Sequence, residues 1–272
     1  MYISELKDAI CTNAPIKEIK TLLINGASPN DIDEEGWASI HFAVENGDIE
    51  LCRLLIEYGV DVNIRTLSGY TPFHIMIETG TYSLELATLL INSGAHVGHD
   101  IHKALYLQDI KLVEQIISSG VSIDTPDDFG NRILHNSIAI RCDEFIQKII
   151  DLGASLEVAD HYDTRPIHAA AADAHLFSLK LLIEKGADLE SRDYNGRTAL
   201  IFAAGNAFIQ GVQLLISSGA FIDIQDNFGN TPLHYAFENG EDEIARLLIS
   251  NGANTNLRNQ DGQLPIDLYI VG

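Results

Sequence analysis

The chain has 272 residues, of which 17 are Lys or Arg and 39 are Asp or Glu, so its formal net charge is −22 and its pI is about 4.6. This balance argues against nucleic acid as a ligand, because phosphate binding depends on clustered Lys and Arg, and it favours a protein partner with a basic surface. With 46% hydrophobic residues and only 7 prolines, the chain is too apolar to be disordered, and we expect it to fold.

The cysteines and the N-terminus predict where the protein resides. Cys11, Cys52 and Cys142 lie far apart with no CxxC spacing, which indicates a reducing compartment rather than a disulfide framework. Residues 1–7 carry acid where a signal peptide would carry base, and no apolar run approaches membrane-spanning length. We therefore expect a cytoplasmic protein without membrane insertion, or, in a pathogen, one delivered into a host cell.

The first segment of the chain, residues 1–32, differs in pattern from the later units. It lacks the turn phrase of those units and carries polar residues such as Lys7, Lys17, Glu18 and Lys20. A helical unit at the end of an array needs a polar outer face, so this segment is predicted to cap the first core edge.

From residue 33 onward the sequence repeats itself at a period near 33 residues. Turn glycines, which begin matching phrases, stand at Gly36, Gly69, Gly130, Gly196, Gly229 and Gly262, with Asp163 in the same phase. Closing glycines, usually followed by Ala or Val, stand at Gly26, Gly59, Gly94, Gly120, Gly153, Gly186, Gly219 and Gly252. Such a period predicts a stacked array, because a single unit cannot bury its own apolar stripe.

Two units depart from the pattern. Between the helices of the second full unit, residues 79–83 read as a small insertion. The next unit, aligned backward from Gly120, has Asp100-Ile101-His102 at the start of its first helix. Both helices of that unit are therefore kept, and about seven residues of the preceding hairpin are missing. These irregularities mark either ligand specialisation or neutral drift.

The clearest unit, 226–258, gives the internal plan of all of them. Thr231 can cap a helix and Pro232 suits its first turn, the break at Asn239-Gly240 ends that helix, and a second helix runs to Gly252. After residue 258 the phrase starts again, and residues 259–272 read either as a minimal C-terminal cap or as the start of a unit that continues.

These phrases resemble ankyrin repeats. Asn230-Thr231-Pro232-Leu233-His234 recurs, with substitutions, as Thr71-Pro72-Phe73-His74, Arg165-Pro166-Ile167-His168, Arg132-Ile133-Leu134-His135, Ala38-Ser39-Ile40-His41 and Thr198-Ala199-Leu200-Ile201. The resemblance implies an all-α ankyrin-repeat solenoid of stacked helix-turn-helix units with projecting β-hairpin loops, monomeric and without a cofactor. It divides one domain, 1–272, into the cap 1–32, repeats 33–65, 66–98, the short 99–126, 127–159, 160–192, 193–225 and 226–258, and the cap 259–272.

The resemblance also implies that hairpin tips and first helices, which line the concave side, bind a protein partner. Aromatic residues near the turn glycines are candidate anchors, since they bury much area at little rotamer cost: Trp37, Tyr70, Phe129, Tyr162, Tyr194 and Phe228. The first helices would contribute Glu45, Glu78, Arg141, Asp173, Asn206 and Glu238. The alternative function is a substrate-recruiting arm of a larger enzyme or pathogen effector.

One further position distinguishes four consecutive units. Where ankyrin repeats favour Asn, as at Asn30, Asn63 and Asn256, these units carry Asp124, Glu157, Glu190 and Asp223. Stacking would align these acids in a ladder of like charge, which either has no role, being screened by salt, or steers a basic partner to the C-terminal half. Asn63 also resembles the ankyrin asparagines that cellular dioxygenases hydroxylate.

A metal site and a catalytic site are the remaining hypotheses. His96, His99 and His102 are spaced by three, which could bring two imidazoles to one helix face, but His102 also occupies the register of the repeat's structural histidine. No nucleophile-elbow sequence or phosphate-binding glycine loop is found. We therefore predict no metal, no cofactor and no enzymatic activity within these residues.

Overall fold

The computed structural model describes residues 3–98 and 100–269, which form sixteen α-helices and one 3₁₀ turn. The first helices of the units are α1 (Ile3–Cys11), α3 (Ser39–Glu45), α5 (Pro72–Glu78), α7 (Asp100–Tyr106), α9 (Ile133–Ala139), α11 (Pro166–Ala172), α13 (Ala199–Gly205) and α15 (Pro232–Glu238). The second helices are α2 (Ile16–Ile24), α4 (Ile49–Glu57), α6 (Leu84–Asn92), α8 (Ile110–Ser118), α10 (Asp143–Asp151), α12 (Leu176–Glu184), α14 (Ile209–Ser217) and α16 (Asp242–Ser250). The 3₁₀ turn is Pro265–Leu268. The predicted all-α repeat solenoid is confirmed.

The helices are too short to be stable alone. From α3 onward each first helix has 7 residues, and each second helix has 9. Isolated helices shorter than about 12 residues are marginal in water, so packing between units must supply the stability. Each helix accordingly buries an apolar stripe, as α15 does with Leu233 and Ala236 and α16 with Ile244 and Leu248.

The packing divides the chain into two compact units, Met1–Ser122 and Ile123–Gly272. In the first, α1 packs on α3 and α3 packs on α5; in the second, α9, α11, α13 and α15 pack in that order, each also against its own second helix. The predicted single domain with its repeat boundaries stays a prediction. Of the described helices, none combines the length and the apolar character needed to cross a membrane.

Both predicted irregularities of the first compact unit are present. Five residues, 79–83, join α5 to α6, whereas three, 46–48, join α3 to α4. The insertion is held by Tyr82 Oη, which donates to Asp109 Oδ2 at 2.6 Å, and by Thr81 Oγ1, which donates to the carbonyl of Val44 at 3.0 Å. Seven residues, 93–99, join α6 to α7, against fourteen, 58–71, between α4 and α5, so the hairpin before α7 is missing.

Four histidines of the first helices fasten the chain segment that follows their own helix pair. In each ring Nδ1 accepts the backbone N–H three residues earlier, and Nε2 lies 2.8–3.2 Å from a carbonyl oxygen 23 or 29 residues later, in or just before the next hairpin. These residues are His41, His135, His168 and His234. His74, which has no complete hairpin after it, instead has its Nδ1 3.4 Å from Oδ1 of the buried Asp100.

Both ends of the described chain make contacts with the neighbouring repeat, and the cap role of residues 1–32 and 259–272 stays a prediction. Near the N-terminus, Lys7 Nζ of α1 pairs with Asp33 at 2.7 Å. Near the C-terminus, the 3₁₀ turn packs on α15 and buries Pro265, and the ring of Tyr269 meets that of Phe237 edge-on with centroids 5.8 Å apart. The C-terminal contacts cover apolar surface that α15 would otherwise expose.

Candidate functional site

Seven five-residue hairpins project between the helix pairs of the described chain: 33–37, 66–70, 127–131, 160–164, 193–197, 226–230 and 259–263. In each, the N–H of the first residue donates to the carbonyl of the fifth at 2.9–3.0 Å. The hairpins are too short to form strands, and Ile32–Ala38 is an isolated bridge beside the first of them. The hairpin loops implied by the resemblance are therefore tight turns.

An aspartate at the first position organises most of these turns. Oδ1 of Asp127 accepts the N–H groups of Phe129 at 2.9 Å and Asn131 at 2.8 Å. Burial opposes ionisation of Asp127, but hydrogen bonds from Asn136 and from the backbone outweigh it and hold its pKa below the usual value. Equivalent bonds are made by Asp33, Asp160, Asp193 and Asp226. These residues were not among the predicted site residues, although the spacing of 33 residues from Asp127 through Asp160 and Asp193 to Asp226 is visible in the sequence.

In the second compact unit, backbone hydrogen bonds join each hairpin tip to the next. Tyr194 N donates to Tyr162 O at 2.9 Å, Asn227 N to Asn195 O at 2.8 Å, and Gln260 N to Phe228 O at 2.9 Å, with a longer bond of 3.4 Å from His161 N to Phe129 O. We call residues 127–131, 160–164, 193–197, 226–230 and 259–263 the tip row. Because its backbones are bonded together, binding to it would cost little ordering entropy.

Four predicted anchors stand exposed on the tip row. The exposed fraction is 72% for Phe129, 70% for Tyr162, 72% for Tyr194 and 55% for Phe228. Large aromatic side chains exposed to this degree contribute little to the core, so they remain available for contact with another molecule.

The two anchors predicted in the first compact unit are placed differently. Trp37 and Tyr70 follow their turn glycine, whereas Phe129, Tyr162 and Phe228 precede the turn position. Trp37 is only partly exposed, because its ring packs on Phe42 with centroids 5.0 Å apart. Tyr70 is 48% exposed. A binding role for Trp37 and Tyr70 stays a prediction.

Several of the first-helix candidates make contacts within the chain. Glu78 pairs with Lys103, Arg141 donates to the carbonyl of Asp173 at 2.8 Å, and Asn206 donates to the carbonyl of Ala172 at 3.3 Å. Those three therefore help to fix the stacking of neighbouring units. The full set is Glu45, Glu78, Arg141, Asp173, Asn206 and Glu238, and its binding role stays a prediction.

A shallow pocket that the sequence did not predict lies on the first-helix face between α13 and α15. Its volume is about 230 Å³, and its walls include Phe202, Gly205 and Tyr235. The Arg197 guanidinium lies 4.3 Å from the centroid of Phe202 and is held by two bonds to Asp193 Oδ2 at 2.7 and 2.9 Å. Phe202 occupies the repeat position that Ala169 occupies one unit earlier. This change from a small to a large side chain at equivalent positions is a sequence signal for the pocket.

The predicted acidic ladder has a structural role. Asp124, Glu157, Glu190 and Asp223 each accept a backbone N–H of the next unit, those of Ser155, Asp188, Phe221 and Asn254, at 2.7–3.1 Å. Asn30 and Asn63 accept the same bond and also donate from Nδ2 to a glycine carbonyl of the next unit, at 3.0 and 2.9 Å. A carboxylate has no N–H for that second bond. Steering by the ladder and modification of Asn63 both stay predictions.

This difference predicts that Asp223→Asn stabilises the protein. The amide would keep the bond from Asn254 N and could donate to the carbonyl of Gly252, so we expect a gain of about 0.5–1 kcal/mol in the free energy of unfolding. Urea unfolding measures it. Asp128→Asn, which removes the same charge from an exposed hairpin position, is the matched control. An equal gain in both variants would mean that only charge repulsion was relieved.

The metal hypothesis gains no support from the described residues. His96 is exposed and His102 is buried, while His99 lies outside the described residues. Among residues 3–98 and 100–269 no group of three or more His, Cys, Asp or Glu side chains is arranged to hold a metal ion. All three cysteines are free, and burial raises the pKa of the Cys52 thiol to about 12, so that thiol stays protonated at neutral pH.

A serine, a histidine and an aspartate come together at the start of α12. Ser178 Oγ lies 2.8 Å from His175 Nδ1, and His175 Nε2 lies 3.0 Å from Asp143 Oδ1. Ser178 is fully buried, so no substrate carbonyl can reach its hydroxyl. The three residues tie the start of α12 to α10, which is a structural role.

The sequence matches a known repeat family along most of its length. A family model described as ankyrin repeats in three copies matches residues 6–100, 101–193 and 189–259. An ankyrin repeat-containing protein of Schizosaccharomyces pombe is 43% identical over 70 residues, which cover 26% of this chain and 31% of that protein.

Two other relatives match over different shares of the chain. Protein phosphatase 1 regulatory subunit 27 of Mus musculus is 45% identical over 68 residues, covering 25% of this chain and 43% of that protein. A putative ankyrin repeat protein of fowlpox virus is 26% identical over 130 residues, covering 46% of this chain and 29% of that protein. The chain thus spans less than half the length of each of these three relatives.

Proposed function

Because the chain belongs to the ankyrin-repeat family, we propose that it is a non-catalytic scaffold that binds a partner protein through the tip row and the adjoining first-helix face. Ankyrin repeats are generally protein–protein interaction modules, and one relative is named as a regulatory subunit of a phosphatase. The fold alone does not name a partner, so the proposal depends on the surface of this particular chain.

The observation that carries the proposal is the set of four exposed aromatic side chains on a hydrogen-bonded row of backbones. Aromatic residues dominate the energetics of protein interfaces when they enter pockets of a partner, and a rigid presentation preserves that energy. The pocket beside Phe202 and Tyr235, which also has polar walls such as Arg197 and Asn206, extends the candidate surface onto the first helices. With a net charge of −22, the protein would attract a partner with a basic surface.

A variant that removes all four tip aromatics tests this function. We expect Phe129→Ala, Tyr162→Ala, Tyr194→Ala and Phe228→Ala together to weaken binding of a partner, first isolated by affinity capture from the native cell, by at least about tenfold, since hot-spot residues contribute most of an interface's energy. Titration of purified partner against both proteins gives the affinities.

The control is Tyr106→Ala, which removes an aromatic of similar exposure, 67%, at the last residue of α7, outside the tip row. Circular dichroism should show unchanged helicity in both variants. Undiminished affinity in the fourfold variant would refute the assignment of the tip row.

The second candidate is a recruiting arm of a larger enzyme or effector. It is favoured by the fowlpox virus relative, because the matched 130 residues cover only 29% of that protein and leave room in it for a further domain. The binding surface proposed for this chain is the same in both cases, and only the fate of the bound partner differs.

A further inference from the structure

One loop of the array departs from a rule that the other loops follow. Two residues after each closing glycine, seven units carry a polar residue: Ser28, Asp61, His96, Ser122, Ser155, Asp188 and Asn254. In five of them the side chain accepts the backbone N–H two residues later, at 2.9–3.2 Å. The remaining unit has Phe221, which cannot accept that bond and is 65% exposed. Phe221 therefore removes a local hydrogen bond and adds no buried surface of comparable size.

Carboxylates lie in and beside the loop that carries this exposed ring. Glu190 Oε1 accepts the N–H of Phe221 at 2.7 Å, which fixes one carboxylate beside it. Asp223 lies in the same loop, and Asp188 holds the equivalent position one unit earlier. Within the part of the chain that the structure describes, none of these three carboxylates belongs to an ion pair.

The lysines of the neighbouring helix do not neutralise the group. Lys180 pairs with Glu184 at 3.8 Å, and Lys185 pairs with Asp151 at 3.2 Å. Burial raises the pKa of Glu190, which adds to the advantage of placing a positive charge nearby. We call Phe221, Asp188, Glu190 and Asp223 the Phe221 surface. It combines one exposed aromatic face with three carboxylates that are not engaged by the neighbouring lysines.

We propose that the Phe221 surface binds an arginine side chain from a basic segment of a partner protein. The guanidinium is planar, stacks on aromatic faces and forms paired hydrogen bonds with carboxylates, so one side chain can satisfy both features at once. Lysine offers a point charge and would fit less well. This surface lies in the loops after the second helices, apart from the tip row, so the inference goes beyond the proposed function.

The test uses the full chain and a blocked pentapeptide, Gly-Arg-Gly-Arg-Gly, titrated at low salt and followed by ¹⁵N–¹H NMR. We expect the largest shift changes at the amides of Phe221, Glu190 and Asp223. Phe221→Ser should weaken binding by about fivefold or more, because the stacking face is lost. The variant should fold normally, since Ser155 shows that serine supplies the missing turn bond.

Three controls decide the outcome. The same peptide with citrulline in place of arginine should not bind, because the charge is absent, and the lysine peptide should bind more weakly. Tyr106→Ser, a change of the same kind at an exposed aromatic outside both surfaces, should leave the affinity unchanged. Three results would each overturn the inference: equal binding by the citrulline peptide, unaltered affinity in Phe221→Ser, or shift changes confined to the tip row. None of them would decide the test of the proposed function, which measures binding of the isolated partner by the fourfold variant.

Discussion

At pH 5 the protein is expected to unfold at a temperature about 10 °C lower than at pH 7.5 in a buffer of constant ionic strength. The cause is the set of four buried first-helix histidines that fasten the segment after their own helix pair, and that the folded state holds neutral. Burial lowers the pKa of each of them, and this desolvation is the largest contribution in every case: His41, His135, His168 and His234.

The direction of this pH effect on stability follows from the hydrogen bonds of the histidines. Nδ1 of His168 accepts the N–H of Arg165 at 3.1 Å, and Nε2 faces the carbonyl of Ser191 at 2.8 Å, so a second ring proton would point at another donor. In the unfolded chain the ordinary histidine pKa is about 6.5. Below that pH the unfolded state binds more protons than the folded state, and stability falls as the pH falls.

Two other effects accompany acidification. The carboxylates whose pKa is lowered by hydrogen-bonded partners, Glu78 and Asp151 among them, lose their stabilising charge only at more acidic pH than this window. Acidification towards the pI of about 4.6 also relieves repulsion among the excess acids, which acts in the opposite direction. We expect the four buried histidines to outweigh that relief.

Thermal denaturation followed by circular dichroism between pH 7.5 and 5 measures the effect. His168→Gln keeps an acceptor and a donor but does not titrate, so it should be less stable at pH 7.5 and show a smaller fall on acidification. His161→Gln, at an exposed histidine of the tip row, should retain the full fall. A midpoint that stays constant or rises towards pH 5 in the unaltered protein would show that charge relief dominates.

The sequence was informative about the fold because each signal was local. The phrase ending in His234, the closing glycines and the missing hairpin before α7 each report the conformation of a few adjacent residues, and repetition made them unambiguous. Local sequence signals do not predict which atoms elsewhere in the array a given side chain will contact. That is why the partners of His74 and of the acidic ladder became evident only from the structure.

The candidate site was predictable in composition and less so in arrangement. The sequence placed aromatic residues near the turns, but the position within a tight turn sets the direction of the side chain. Trp37, the fifth residue of its hairpin, packs on Phe42, while Phe129, the third residue of its hairpin, faces solvent. Phe221 was overlooked because an exposed apolar residue is common by itself. It becomes informative only beside the polar side chains that make a turn bond at the same position.

Gly229→Val is expected to lower the free energy of unfolding by about 4 kcal/mol, against about 2 kcal/mol for Gly262→Val. Both glycines have positive φ, 79° and 77°, so a β-branched residue strains the backbone equally at the two turns. A Cβ at Gly229 would also lie 2.9 Å from Gln260 N and 3.0 Å from Asn259 Cα, whereas at Gly262 nothing in the described chain lies within 4 Å.

The difference between the two variants therefore measures the contact between adjacent tips. Because the atoms that Gly229→Val would meet are backbone atoms, the hairpin 259–263 must move and the bond from Gln260 N to Phe228 O must break. Chemical denaturation gives the two stabilities, and hydrogen exchange at the Gln260 amide should speed up in Gly229→Val alone. Equal losses of stability and equal protection of the Gln260 amide in the two variants would show that contact between adjacent tips does not stabilise the protein. The rigid presentation of Phe228, on which the proposed function depends, would then have no basis.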